Sequence, residues 1–141
     1  MNRQDLIDYK EDKKWLEDRL KEVEERKLLL NKLTATYGDS TGGSNSVQDR
    51  IAEDLAKLID ITNEYVGKLV ELQKKLIDIE NAIEEMSNKV YRNILYNVYI
   101  RGNNLTDTSE EIHKEYKYTC VLHGRALNDF DKMCKEHDKK C

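Results

Sequence analysis

The stretch IAEDLAKLIDITNEYVGKLVELQKKLIDIENAIEEM, residues 51–86, decides the fold class of this chain. Its apolar residues recur at alternating steps of four and three, the spacing that aligns side chains on one face of an α-helix. A stripe sustained over about five heptads requires a helical partner, because a lone helix cannot bury it. The stripe consists of Ile51, Leu55, Leu58, Thr62, Tyr65, Leu69, Leu72, Leu76, Ile79, Ile83 and Met86.

The same stretch carries additional apolar residues beside this stripe. A widened stripe is typical of a helix that packs against two neighbours rather than one. The additional residues are Ile59, Val66, Val70 and Ile77.

An earlier helix is predicted from Asp5 to Leu33, where the same alternation of three and four occurs. Lys13 and Lys27 interrupt the pattern, but their aliphatic stems can lie along it. Residues 34–46 are rich in Gly, Ser, Thr, Asn and Asp and predict a flexible linker, with Ser46 as the N-cap of the next helix. The pattern of the first helix consists of Leu6, Tyr9, Lys13, Leu16, Leu20, Val23, Lys27 and Leu30.

The two long helices are predicted to form an antiparallel, coiled-coil-like hairpin, because a parallel pairing would stretch the linker almost taut. The second helix outruns the first, so its surplus stripe needs either the C-terminal segment or a second copy of the chain. We predict that a second copy covers it, which makes the chain a homodimer.

The segment after Met86 predicts three short helices. The first ends at Gly102, a C-cap glycine followed by two turn-forming asparagines. The second is expected to be capped by Asp107 or Thr108, with Ile112 and Tyr116 pointing inward. Three short helices with a turn before the last are the arrangement of a helix-turn-helix DNA-binding unit. The inward residues of the first and last helices are Val90, Ile94, Leu95, Val98, Tyr99, Leu122, Ala126, Leu127, Phe130 and Met133.

The position of that turn has two interpretations. In one, the chain bends sharply near Tyr118, within residues 117–121. In the other, residues 108–135 form one continuous helix, because the spacing of four and three runs from Ile112 to Met133 without interruption. A continuous helix would favour contacts with proteins over contacts with DNA.

The pieces ILYNVYIRG (94–102), EEI (110–112) and LHGRAL (122–127) together resemble the helix-turn-helix of the fourth region of sigma factors. The chain is more similar to ArpU-like phage transcriptional regulators, over nearly its full length. In those proteins the interval between the EEI and GRAL pieces is about one helical turn longer. The resemblance implies a phage or prophage regulator that binds double-stranded DNA, with the hairpin used for dimerisation or for contact with RNA polymerase.

On this interpretation the N-terminal part of the last helix enters the major groove, and the preceding turn contacts phosphates. Arg125 can pair with the acceptor edge of guanine, whereas Thr, Lys and Asn mostly position a protein on the DNA backbone. The alternative is a helical interaction protein that does not bind DNA and acts as an adaptor or inhibitor of a host protein. The predicted DNA-binding residues are Arg101, Asn103, Asn104, Lys117, Thr119, His123 and Arg125.

Charge and cysteine content narrow the class of protein further. The net charge is −4, with a balance of −6 in residues 1–86 and +2 in residues 87–141. Apolar runs are too short for a membrane span, and the charged N-terminus lacks the apolar core of a signal peptide, so a cytoplasmic protein is expected. The odd number of cysteines, three, favours reduced thiols over a disulfide framework.

Cofactor chemistry and catalysis have little support in the sequence. The C-terminal Cys and His residues have spacings that could bind zinc, but small apolar fillers are the commoner role of such cysteines. No pattern of nucleophile and base is present, so we expect neither an enzyme nor a cofactor. The predicted all-α chain comprises an N-terminal helix (1–33), a linker (34–46), a long heptad helix (47–86), a helix-turn-helix-like domain (87–136) and a tail (137–141).

Overall fold

A computed structural model describes residues 1–37 and 45–140, and every regular element in these residues is a helix. The predicted all-α class is confirmed. None of the helices in this described part has the length and apolar character needed to cross a membrane. The elements are α1 (Arg3–Tyr37), α2 (Asn45–Glu84), α3 (Lys89–Leu95) with a π-helical turn (Tyr96–Ile100), α4 (Leu105–Glu111) and α5 (Tyr116–Lys140).

The chain divides into two compact units. The hairpin unit is Lys13–Glu71, and the terminal unit combines Met1–Asp12 with Leu72–Cys141. In the hairpin unit the Trp15 and Tyr65 rings meet edge to face, with centroids 5.8 Å apart. Thr34 lines the same surface cavity as Ile51, so the two helices of this unit run in opposite directions. The predicted antiparallel pairing follows from these contacts.

The heptad stripes of α1 and α2 are on the packed faces of their helices, as the sequence predicts. Leu16, Val23 and Leu58 are buried in the hairpin unit, and no member of either stripe is exposed. Lys13 and Lys27 are half-buried, as expected for long side chains whose stems lie along an apolar seam.

The terminal unit has a core built from the first residues of α1, the last turns of α2 and the three C-terminal helices. The surplus stripe of α2 is therefore buried within one chain, with the C-terminal segment as the first of its two predicted partners. The stripe does not require a second copy, and the homodimer stays a prediction. The core includes Leu6, Tyr9, Leu72, Ile79, Ile83, Met86, Ile94, Leu95, Leu122, Ala126 and Phe130.

An ion pair fastens the start of α1 to α5 within this unit. Arg3 donates from Nε to Asp131 Oδ2 at 2.5 Å, and its backbone N–H donates to Asp131 Oδ1 at 2.7 Å. The Arg3 guanidinium also donates to Asn128 Oδ1 at 2.6 Å. The Arg3 side chain thus binds acceptors on Asn128 and Asp131, which lie three positions apart on the same face of α5.

Several predicted boundaries differ from the structure. Helix α1 continues through residues 34–37, and Ser46 lies inside α2 rather than at its N-cap. Residues 38–44 of the predicted linker lie outside the described residues. Residues 137–140, predicted as a tail, belong to α5, and Cys141 is not among the described residues.

The chain breaks before the last helix, but not at the predicted position. Helix α5 begins at Tyr116 and passes through residues 117–121 without interruption, whereas α4 ends at Glu111. Both earlier interpretations are wrong: there is no bend at Tyr118, and residues 108–135 are not one helix. The turn lies at residues 112–115.

The first of the three C-terminal helices ends as predicted, at a glycine. Gly102 has a φ of 76°, in the left-handed region that side chains with a Cβ rarely adopt. The N–H of Asn103 donates to the Asn97 carbonyl at 2.9 Å, which closes the wide final turn of the π-helical segment. The π-helical geometry has no counterpart in the sequence pattern.

Two glycine-to-alanine substitutions are expected to have opposite effects on stability. Gly102→Ala should lower the free energy of unfolding by about 1–2 kcal/mol, because alanine is strained at positive φ. Gly124→Ala should raise it by about 1 kcal/mol, because Gly124 lies inside α5 with nothing within 4 Å of an added Cβ. Urea unfolding followed by circular dichroism measures both. Equal effects of the same sign would contradict the assigned backbone conformations.

Candidate nucleic-acid interface

The interface is built on the connection between α4 and α5. The N-cap of helix α4 is Asn104, whose Oδ1 accepts from the Asp107 N–H at 2.7 Å. The cap is thus Asn104 rather than Asp107 or Thr108, both of which lie inside α4. The Thr108 side chain is fully buried, and its hydroxyl donates to the Asn104 carbonyl at 2.8 Å. Asn104, predicted as a phosphate contact, therefore has a structural role at the start of α4.

A Schellman motif ends α4 and sets the direction of α5. The N–H of Lys114 donates to the Ser109 carbonyl at 3.0 Å, and that of His113 donates to the Glu110 carbonyl at 3.2 Å. This pair of bonds needs a left-handed residue after the helix, usually glycine. Here His113 takes that conformation, with a φ of 56°. The exposed His113 side chain therefore lies at the start of the turn.

Helix α5 is buried on one face and exposed on the other. Thr119, Leu122 and Phe130 belong to the buried face. Lys117 and Arg125 are exposed, in agreement with the outward orientation expected for DNA-binding residues. In the part of the chain that the structure describes, Arg125 takes part in no ion pair. The exposed positions of the first turns are Tyr116, Lys117, Tyr118, Val121, Gly124 and Arg125.

Thr119 is not available to DNA. Its side chain is fully buried, and its hydroxyl donates to the Glu115 carbonyl at 2.9 Å. The hydroxyl bond satisfies the polar atom inside the helix, so the residue packs like a small apolar side chain. The prediction that Thr119 contacts DNA is wrong for this structural reason.

His123 also faces inward rather than toward solvent. Its Nε2 lies 2.9 Å from the Tyr99 hydroxyl, and the two rings stack with centroids 5.8 Å apart. Burial lowers the pKa of His123 from its ordinary value of 6.5, and the nearby Lys10 and Arg3 charges lower the pKa further. The half-buried ring bonded to Tyr99 therefore has a packing role, and the DNA contact of His123 stays a prediction.

Protonation of His123 is expected to destabilise the terminal unit. Because its pKa is lower in the folded than in the unfolded chain, its contribution is fully present above pH 6.5 and is lost as the pH falls below that value toward the folded pKa. The urea midpoint should therefore drop between about pH 7.5 and pH 5. The drop should be smaller in His123→Gln but unchanged in His137→Gln, which alters an exposed histidine of the same helix. Identical pH profiles in all three chains would refute this assignment.

Arg101 and Asn103 are held by a buried amide. Asn97 is 3% exposed, and its Oδ1 accepts from Arg101 at 3.0 Å and from Asn103 at 3.3 Å. The Arg101 guanidinium also lies 3.9 Å from a Glu111 carboxylate oxygen and 5.1 Å from the Tyr96 ring centroid. Arg101 remains about half exposed. It can reach a phosphate from this position, whereas the Asn103 amide is engaged within the turn.

The sequence reasoning missed the apolar part of this surface. Tyr116, Tyr118 and Val121 are each about half exposed at the start of α5. The Lys114 ammonium lies 5.8 Å from the Tyr118 ring centroid. Tyr116, predicted to point inward, is the first residue of α5 and is 50% exposed. The alternation of basic and aromatic residues in KEYKY (114–118) is the signal that could have identified this patch.

The C-terminal cysteines and histidines do not form a metal site within the described residues. Across residues 1–37 and 45–140, no three His, Cys, Asp or Glu side chains converge in a way that could bind a metal ion. Cys134 is buried, and burial raises the pKa of its thiol, which favours the protonated form over the thiolate that binds zinc. Cys141 lies outside the described residues.

Comparison of the chain with known protein families, with curated proteins and with solved structures finds no match.

Proposed function

We propose that this protein binds double-stranded DNA, with the first turns of α5 in the major groove, as a transcription regulator. The observation that carries the proposal is the exposed face of α5 directly after a short capped helix and a tight turn. Lys117, Val121 and Arg125 succeed one another at steps of four, so they lie along one face of the helix. A recognition helix presents its N-terminal residues to base edges in this way.

The chemistry of this face suits the groove. An arginine can pair with the two acceptors of guanine, and an aliphatic side chain such as Val121 can contact a thymine methyl group. In this proposal Lys117 in α5 and Arg101 before α4 make the phosphate contacts that fix the register. Gly124 leaves the face open beside Arg125, since nothing lies within 4 Å of a Cβ built there. The absence of a side chain at this position would let a groove approach α5 closely.

The binding test uses 30-base-pair duplexes (about three turns of DNA) with a randomised centre, selected over several rounds. Fluorescence anisotropy on the recovered duplex should show affinity that falls with salt, with a log–log slope of about −2 for the two phosphate contacts of Lys117 and Arg101. The double variant Lys117→Ala/Arg125→Ala should lose both affinity and slope. Lys57→Ala, which removes an exposed charge from α2, should lose neither. No binding at low salt by the intact chain would refute the proposal.

A second function is favoured by the aromatic residues on the same surface. Tyr118 and Val121, three positions apart on α5, form an exposed apolar patch, as at protein-binding sites. On this alternative the start of α5 docks on RNA polymerase or another host protein. Tyr118→Ala would then abolish capture of the partner, whereas the anisotropy experiment would show no DNA binding.

A further inference from the structure

Helix α2 carries a second apolar seam apart from its heptad stripe. Ile59, Val66, Val70 and Ile77 are 52%, 47%, 53% and 58% exposed. Their large apolar side chains were expected to pack on a neighbouring helix, yet each leaves about half of its surface in contact with water. A row of β-branched side chains left open along one helix has the composition of a helix–helix interface.

The spacing of these residues is that of a coiled-coil seam. Asn63 and Gln73, both exposed, fill the gaps between the apolar positions. With them, the series 59, 63, 66, 70, 73 and 77 alternates steps of four and three. All six positions belong to one unbroken helix, Asn45–Glu84, so they share a face by helix geometry alone. The seam spans about 27 Å of helix at 1.5 Å per residue.

The order of residue types along the seam is the same from either end. From either end its residues are apolar, amide, apolar, apolar, amide and apolar, with the midpoint at residue 68. A two-fold axis beside that midpoint would bring Ile59 of one copy against Ile77 of another. Val66 would then face Val70, and the Asn63 amide would face the Gln73 amide, to which it can donate and from which it can accept. An isologous two-fold interface requires this kind of self-complementarity.

We propose that two copies of this chain pair through the seam 59–77 of α2 as an antiparallel coiled coil. The charges beside the seam fit the same register. Asp60 and Lys74 are exposed on one flank of the seam, seven residues before and seven after residue 67. In the register above, Asp60 lies opposite residue 76 of the other copy, two residues or about 3 Å along the axis from Lys74, so the carboxylate and the ammonium can pair. Gly67 lies next to the two-fold axis and has nothing within 4 Å of a Cβ built on it, so the two helices can approach closely there.

A parallel pair would use neither the symmetry of the seam nor the charges of its flank. Asn63 would face Asn63, and Gln73 would face Gln73. Asp60 and Lys74 would face the opposite flank of the other copy, which carries no charged residue. A partner of unrelated sequence would not require a seam that is symmetric about its midpoint. The exposed Leu28 and Leu29 of α1, by comparison, are adjacent in sequence and form no repeating seam. The second copy is therefore the occupant that fits both the register and the charges.

Sedimentation equilibrium of the full chain, without DNA, tests the oligomeric state. The wild-type chain should be dimeric at about 100 μM, and Val66→Glu should be monomeric with unchanged helicity, because a charge enters the middle of the seam. Leu29→Glu, the matched change at an exposed apolar residue of α1, should remain dimeric. A monomeric wild-type chain, or a dimer that persists in Val66→Glu, overturns the proposal.

A charge swap tests the antiparallel register. Asp60→Lys and Lys74→Asp should each weaken the dimer about tenfold, because each change turns two attractive pairs into repulsive ones. The double variant Asp60→Lys/Lys74→Asp should recover the wild-type dissociation constant, since the pairs are restored with reversed signs. Failure of the double variant to recover overturns the antiparallel pairing. Neither measurement involves DNA, so a negative result here is independent of the DNA-binding proposal.

Discussion

Replacement of Phe130 by alanine is expected to lower the free energy of unfolding by about 3–5 kcal/mol. Phe130 is fully buried and is the largest such side chain in the described residues. The substitution removes the apolar contacts of the ring and leaves a cavity that the surrounding core can fill only in part. Because small proteins have stabilities of about 5–15 kcal/mol, one such change removes a large part of the total.

The measurement is urea unfolding followed by circular dichroism, with Tyr118→Ala as the matched control. Tyr118 is an aromatic residue of the same helix but is 48% exposed, so its replacement should change stability by less than about 1 kcal/mol. A stability of Phe130→Ala close to that of Tyr118→Ala would mean that α5 does not bury the face assigned to it.

The helices were predictable because their packing is periodic. Each step of three or four in the stripes of α1 and α2 places the next side chain on the same face of the helix. This apolar face is removed from water only when another helix packs against it. The pattern also placed Ile94 and Phe130 correctly in the core. Periodicity alone does not reveal which partner covers a face. Ile83 is buried within its own chain, whereas Ile77 of the same helix is 58% exposed.

The turn before α5 was not predictable, because its sequence satisfies two structures. Ile112, Tyr116 and Thr119 continue the helical spacing across the break. The spacing of apolar residues therefore does not reveal that the helix is interrupted there. The break depends on His113 in a left-handed conformation, which costs a residue with a Cβ roughly 1–2 kcal/mol and is normally signalled by glycine. The packing of α4 and α5 in the terminal unit outweighs that local cost.

At the candidate site, residue type predicted which charged side chains are exposed, but the sequence did not predict which way the other side chains face. Lys117 and Arg125 were correctly expected to be exposed, because charged side chains seldom enter a core. Thr119 lies two positions after Lys117, and His123 lies two positions before Arg125. Both were assigned to the same surface, yet both face inward. The turn was predicted at residues 117–121, but it lies at residues 112–115. A wrong start for α5 gives no basis for deciding which of its residues face the core and which face solvent.

Gly124→Leu is expected to separate DNA binding from stability. The exposed glycine lies beside Arg125, and a leucine there would project from the face that the proposal places in the major groove. The side chain would hold α5 away from the base edges, so the Arg125 contact with guanine would be lost. Such a contact accounts for about 1–3 kcal/mol, or roughly 5- to 150-fold in affinity for the selected duplex.

Gly124→Ala is the matched control for this substitution. Neither variant should be less stable than the wild-type chain, because nothing lies within 4 Å of the added Cβ and glycine is the poorer helix former. Fluorescence anisotropy should show near wild-type affinity for Gly124→Ala and the full loss for Gly124→Leu. If both bind DNA as the wild-type chain does, the exposed face of α5 is not in the groove, and the same two variants should then be tested for capture of a protein partner.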